Sequence, residues 1–310
     1  MSVDHILTLV LGLAFAGLGG ELFVRGAVGA AAALRIPPGI VGATVAAFAT
    51  SSPELAVAVG SALAGEPELA LGDALGSNVV NIGLVLGVAV LVGPIRVGGG
   101  AISRDLAAAI AIPVVTVVLA ADGRVGRPDA LVLLAVFALW LGATIIEARR
   151  ERSAVPAILG ESTLRRALPA GLLGLLLLVA AGRLIVSGAR GAGADLGLDA
   201  FVVGVVLVAI GTSTPELATT VIARLRGHEE IGLGTVLGSN VYNGAIIVPV
   251  AALIAPITIA WNEIVVSLLF GIAVVAFVAP VFGPILGRRR GALLVPLYGS
   301  SVLALLLTNG

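Results

Sequence analysis

Apolar runs separated by short charged or Pro/Gly-rich breaks extend along the whole chain. Ten can be marked, near residues 5–26, 38–64, 67–93, 105–121, 128–147, 167–187, 198–224, 229–254, 263–282 and 290–308. Most approach the roughly 20 residues that a helix needs to cross about 30 Å of hydrocarbon. Because backbone amides find no water at that depth, the pattern predicts an all-α membrane protein with ten transmembrane helices. The second, third, seventh and eighth runs are longer than one perpendicular crossing, and each holds a Pro, Gly or polar cluster midway. Those four are expected to be discontinuous helices.

Composition strengthens this reading. Of 310 residues 59% are hydrophobic and 12% charged, whereas a soluble domain carries about a quarter charged residues. The formal net charge of zero gives no reason to expect nucleic acid as a partner or electrostatic attachment to a membrane surface. With no cysteine, disulfides, thiolate metal sites and thiol catalysis are excluded together. His5 and His228 are too far apart for a zinc motif, and no Ser/His pair lies at membrane depth, so neither an enzyme nor a bound cofactor is expected. Ala14-Phe15-Ala16 resembles a signal-cleavage site, but the residues before the apolar run include Asp4 and no Lys or Arg. The first run is therefore expected to be a spanning helix.

Comparing the chain with itself exposes an internal repeat. Thr50-Ser51 matches Thr212-Ser213, Pro53-Glu54-Leu55-Ala56 matches Pro215-Glu216-Leu217-Ala218, Gly76-Ser77-Asn78-Val79 matches Gly238-Ser239-Asn240-Val241, and Asn81 falls on Asn243. Each pair differs by the same offset, 212 − 50 = 162, without a gap through two spans. The offset carries the second span onto the seventh, five crossings later, and an odd number of crossings reverses direction. Two inverted five-helix repeats follow, residues 1–147 and 167–310, joined by a cytoplasmic linker at 148–166, with the transported species expected where the copies meet near the midplane. If the linker arginines Arg149, Arg150, Arg152, Arg165 and Arg166 are cytoplasmic, alternation puts most of the other arginines on the same face. The positive-inside rule then turns both termini outward in a multi-pass plasma-membrane protein.

Glu54 and Glu216 lie well inside apolar stretches, where an ionised carboxylate marks an ion or proton pathway. Pro53 and Pro215 lack the N–H that would bond the carbonyls of Ala49 and Gly211, so each helix is expected to open there and turn backbone oxygens inward. Hydroxyls of Thr50, Ser51, Thr212 and Ser213 add ligands, and Ser77 and Asn81 stand at i, i+4 on one helix face, as do Ser239 and Asn243. This is a hard-oxygen set suited to Ca²⁺ and Na⁺ rather than to zinc or copper. Two glutamates balance one Ca²⁺ or two Na⁺. Asn78 and Asn240 read equally well as caps of helix fragments, Gly42, Gly72, Gly76 and Gly83 as close-packing positions, Glu21 and Arg25 as a local ion pair. Glu66, Glu68 and Asp73 are expected to face extracellular water.

The segments Gly42-x-Thr44 through Thr50-Ser51-Ser52-Pro53-Glu54-Leu55, Gly76-Ser77-Asn78-Val79-Val80-Asn81-Ile82-Gly83, Gly211-Thr212-Ser213-Thr214-Pro215-Glu216-Leu217 and Gly238-Ser239-Asn240-Val241-Tyr242-Asn243 resemble the two alpha-repeats of the sodium/calcium exchanger family, within the cation/Ca²⁺ antiporters. The likeness covers the whole chain and is greatest to the small prokaryotic type. It implies four ion sites in a diamond, one preferring Ca²⁺, with 3 Na⁺ exchanged per Ca²⁺. It also implies that Glu54 and Glu216 bridge sites with Thr50 and Thr212, and that Ser51, Ser213, Ser77, Ser239, Asn81, Asn243 and the carbonyls of Ala47 and Ala209 complete them. Alternating access would come from sliding of the first and sixth spans over a fixed core. Ala49 stands where the family usually has Gly, and Asn243 where potassium-dependent members carry Asp, which disfavours K⁺ co-transport. The Ca²⁺/H⁺ antiporters of the same superfamily and a passive cation channel are the competing readings. Na⁺ and Ca²⁺, with H⁺ as a substitute, and the lipid bilayer are the expected partners; no protein partner is evident.

Overall fold

A computed structural model describes residues 3–34, 36–98, 100–151, 164–196, 203–259, 261–280 and 283–309. Most of the expected linker, at 152–163, lies outside the described residues, as do residues 197–202 at the start of the seventh span. Among the described residues six helices are long and apolar enough to cross a bilayer: Val10–Ala27, Pro67–Val92, Ile102–Asp122, Arg127–Arg150, Glu229–Ile254 and Arg288–Leu307. Gly39–Thr50 and Ser52–Leu63 form one further span bent by 41°, and Ala167–Ala181 and Ile264–Val278 are shorter apolar helices. With the segment that ends in helix Thr214–Leu225, these occupy the ten expected runs.

The interruptions take two forms. At Ser51 (φ −82°, ψ 11°) and Ser213 (φ −78°, ψ 4°) the backbone leaves the helical region. A new helix then starts with Pro53 or Pro215 in its first turn, the place where a missing N–H costs least. The third and eighth spans instead stay continuous and widen into π-helix at Val80–Leu86 and Asn243–Ile247. Further π-helix precedes each break, at Gly42–Ala46 and Val203–Val208. π-turns of this kind cluster at functional sites. The repeat is thus reproduced element by element: Ala47–Thr50 maps onto Ala209–Thr212 and Ser52–Leu63 onto Thr214–Leu225. The left-handed glycines that end the two Glu helices, Gly65 (φ 84°) and Gly227 (φ 77°), also differ by 162.

Each Ser/Asn helix packs against the Thr-Ser segment of the other repeat, Pro67–Val79 on Val203–Thr212 and Glu229–Tyr242 on Pro38–Thr50. Small residues permit this closeness. A Cβ on Gly76 would land on the Val205 carbonyl and 2.9 Å from the Cβ of Ala209, and one on Gly238 would land on the Ala43 carbonyl and 2.7 Å from the Cβ of Ala47. Gly42 stands equally close to Ile231, and Gly83 lies against Tyr298. Helices Val3–Leu34 and Leu164–Leu196 run along one another outside this core, joined where Gly26 meets Gly171 and Gly19 meets Gly174.

Four two-residue strands also bind the repeats together. β1 (Ile95–Arg96) pairs antiparallel with β4 (Ile285–Leu286), and β2 (Arg124–Val125) with β3 (Ile257–Thr258). The second pair is the image of the first within one residue of the common offset, so the two ladders occupy opposite ends of the bundle.

The ionisable groups of the fourth and fifth spans are neutralised locally. Arg104 pairs with Asp105 at 2.8 Å and with Glu147, while Trp140 donates its Nε1–H to Asp105 at 2.9 Å. The expected pair of Arg25 and Glu21 forms at 2.6 Å, and Arg226 joins it.

Overpacking a tight helix crossing typically costs about 1–3 kcal/mol. Gly76→Val and Gly238→Val are accordingly expected to lower the melting temperature of the detergent-solubilised protein. Gly142→Val, where nothing lies within 4 Å of an added Cβ, is expected to leave it unchanged. Equal melting temperatures for all three would refute the close-packing role.

Candidate ion-binding site

The breaks at Ser51 and Ser213 set two helix starts facing two helix ends. Glu54 and Glu216 each sit in the first turn of the helix that follows the break, where the helix dipole favours a negative charge. Thr50 and Thr212 close the segments before it. Thr50, Glu54, Ser77, Asn81, Thr212, Glu216, Ser239 and Asn243 are all completely buried, and Ser51 and Ser213 nearly so. Thus every side chain expected at the site lies inside the bundle, contributed by four segments of two antiparallel repeats. Glu216 and Glu54 are near enough to act on one another's charge.

On one side of the site the hydroxyls gather on Glu216. Ser239 donates to its Oε1 at 3.0 Å and Ser51, from the other repeat, lies 3.3 Å from the same oxygen and 3.0 Å from Ser239 Oγ. The amides form a two-fold pattern: Asn81 donates to Asn240 Oδ1 at 3.1 Å, and Asn243 donates to Asn78 Oδ1 at 3.1 Å. Asn240 also donates to the Asn78 carbonyl at 3.2 Å. Asn78 and Asn240 therefore orient their partners across the repeat interface instead of capping helix fragments. Their acceptance of the Asn81 and Asn243 NH₂ groups leaves the Oδ1 atoms of those two residues without a hydrogen-bond partner among the described residues.

Other oxygens are equally uncommitted. Both carboxylate oxygens of Glu54, Oε2 of Glu216 and Oγ of Ser213 are buried and accept no hydrogen bond from the described residues. The Ala47 and Ala209 carbonyls accept the N–H of Ser51 and Ser213 at 2.9 and 3.0 Å, and each also lies 3.3 Å from a threonine hydroxyl, that of Thr50 or Thr212. The Ala49 carbonyl, expected to be released by Pro53, is instead taken by the hydroxyl of Ser52, which repairs the broken ladder locally.

One expectation fails. Glu66 is exposed, but Asp73 does not face water: it is completely buried beside the site and close enough to act on the charge of Glu54. The helix begins at Pro67, so Asp73 lies roughly 9 Å along its axis. It shares a face with Ser77 and Asn81, each four residues further on, and that spacing was the available signal. Among the described residues no three Asp, Glu, His or Cys side chains gather as a chelating group. Neutral hydroxyl, amide and carbonyl oxygens would have to supply most of any coordination shell.

The chain matches the family described as "Sodium/calcium exchanger protein" over residues 5–146 and 167–307, one block per repeat. It is 34% identical to the inner membrane protein YrbG of Escherichia coli over 230 residues, 71% of each chain. It is 27% identical to the sodium/calcium exchanger MaX1 of Methanosarcina acetivorans over 303 residues, covering 84% of this chain and 86% of the relative. The solved structure of the sodium-calcium exchanger NCX_Mj, soaked with Na⁺ and Ca²⁺, superposes with a TM-score of 0.82 at 27% identity, covering 98% of this chain and 99% of that one. Matched in both repeats by the family pattern and end to end by the fold, the chain belongs to the sodium/calcium exchanger family, whose members are membrane antiporters.

Proposed function

We propose that this protein exchanges Na⁺ for Ca²⁺ across the plasma membrane by alternating access, with 3 Na⁺ moved per Ca²⁺ and both termini outside the cell. The observation that carries the reading is the contrast between two sets of buried acids. Asp105 is held by Arg104 and Trp140, whereas Glu54 and Glu216, from opposite repeats, form no ion pair with a described residue, and both oxygens of Glu54 and Oε2 of Glu216 lack a well-formed hydrogen bond among the described residues. A charge in hydrocarbon without such a partner is costly, and a bound cation is the compensation this donor set supports.

In this reading Glu54 and Glu216 supply the two negative charges for Ca²⁺. The hydroxyls of Thr50, Thr212, Ser51, Ser213, Ser77 and Ser239, the amide oxygens of Asn81 and Asn243, and the carbonyls of Ala47 and Ala209 complete Ca²⁺ and Na⁺ sites around them. An all-oxygen shell of carboxylate, hydroxyl, amide and carbonyl groups suits both ions. The similarity to MaX1 and NCX_Mj, both named sodium/calcium exchangers, supports Na⁺ as the coupling ion.

Two experiments test this. Proteoliposomes loaded with Na⁺ are expected to take up external Ca²⁺, and to do so faster when valinomycin and equal K⁺ clamp the potential, because three monovalent charges leave for each divalent ion. Uptake that follows a pH gradient and ignores Na⁺ would replace Na⁺ by H⁺, and Ca²⁺ flux without any counter-ion would make the protein a channel.

Removing one partner from a buried charge pair costs about 3–5 kcal/mol. Glu54→Gln and Glu216→Gln are therefore each expected to reduce Ca²⁺ flux by roughly a hundredfold or more while the protein still inserts. Flux close to that of the unaltered protein in either variant would remove the residue from the site.

A further inference from the structure

The two halves of the site are not equivalent, and the difference centres on Asp73. Adding the offset to Asp73 gives Thr235. Thr235 is also fully buried, but its hydroxyl donates to the Ile231 carbonyl of its own helix at 2.8 Å and leaves the site alone. The first repeat thus carries a carboxylate where the second carries a neutral, self-satisfied side chain.

The hydrogen bonds around the two glutamates differ accordingly. Ser239 donates to Glu216 at 3.0 Å. Its counterpart Ser77 does not donate to Glu54; its hydroxyl lies 3.5 Å from Asp73 Oδ1 and 3.3 Å from the Thr212 hydroxyl. Thr50 gives its proton to a carbonyl of its own helix, that of Ala46 at 3.0 Å. Its counterpart Thr212 reaches Asp73 Oδ1 at 3.0 Å, with the Ala209 carbonyl further away at 3.3 Å. Thr212 has one proton to give, and the shorter contact to a carboxylate is the stronger of the two.

A hydroxyl can coordinate a cation only through its lone pairs, so its proton must point away from the ion. Asp73 supplies that direction for Thr212 and Ser77 together. Ser77 also faces Asp73 and Thr212 rather than Glu54, whose two oxygens lack a well-formed hydrogen bond among the described residues. Resting on the ion site proposed above, we infer that Asp73 is a positioning residue of that site: by holding the hydroxyl protons of Thr212 and Ser77 it turns their lone pairs, and both oxygens of Glu54, toward the transported cation. It acts through these ligands, in keeping with the absence of a three-carboxylate chelate among the described residues.

The test compares Asp73→Ala, which removes the acceptor, with Asp73→Asn, which keeps an acceptor oxygen of the same shape. Losing the shared acceptor of two buried hydrogen bonds should raise the half-saturating Ca²⁺ concentration of Asp73→Ala roughly tenfold or more. Its maximal rate per inserted protein should stay within about twofold, and Asp73→Asn should recover part of the loss.

Ca²⁺ binding to the detergent-solubilised protein, read by calorimetry or by Ca²⁺-induced thermal stabilisation, needs no coupling ion. The positioning role therefore stays testable even if Na⁺ proves to be the wrong counter-ion. Unchanged half-saturation and unchanged Ca²⁺ binding in Asp73→Ala would overturn the inference. So would a fall in maximal rate at constant half-saturation, equal in both variants, because that is the mark of a structural defect.

Discussion

Carboxylates held away from water need a positive partner, and most of what distinguishes this bundle follows from burying Glu54 and Glu216 with no ion-pair partner among the described residues. Elsewhere in the protein the rule is met in the ordinary way. Asp105 is buried, but Arg104 lies beside it and the Trp140 indole N–H points at it. Glu54 and Glu216 have helix N-termini beneath them, which lower the cost of a negative charge without cancelling it. In the proposed ion site, the charge left over is what would favour a cation.

The inverted repeat is an economical way to build such a place. A segment that bends at Thr-Ser-x-Pro-Glu has a carboxylate at one helix start and hydroxyls at the adjoining helix end, and meeting its own copy upside down doubles both. Gly76 and Gly238 let the opposing backbones approach closely. The reciprocal amide pairs, Asn81 with Asn240 and Asn243 with Asn78, then join the copies at their centre. The match breaks at Asp73 and Thr235, one bonded to Thr212 of the opposite repeat and the other to its own helix.

Much of this was legible in the sequence. Apolar runs gave the spans, and the constant offset gave the inversion, because it preserved Ser51 and Ser213, Pro53 and Pro215, Glu54 and Glu216 together. What the sequence concealed was the destination of each hydroxyl and amide proton. Ser52 closes the carbonyl that Pro53 frees, Asn78 orients Asn243, and Thr212 turns to Asp73 whereas Thr50 turns to its own helix. These choices depend on which segment lies opposite and on differences of a few tenths of an ångström between competing contacts, and pattern carries no such information. Asp73 was misplaced for a related reason. It follows Glu66 and Glu68 closely enough to read as part of an acidic loop, but the helix has already started at Pro67 and carries it inward.

The two short ladders bear on how such a bundle can flex. β1 and β2 belong to the first repeat and β4 and β3 to the second, and the pairs sit at opposite ends of the molecule. A rigid body fastened at both rims resists shear along its axis, since any slide that relaxed one fastening would strain the other. Among the described residues, helices Val3–Leu34 and Leu164–Leu196 join neither ladder and meet through glycine faces at Gly26 and Gly171. The segments that carry Glu54 and Glu216 belong to the part that the two ladders brace.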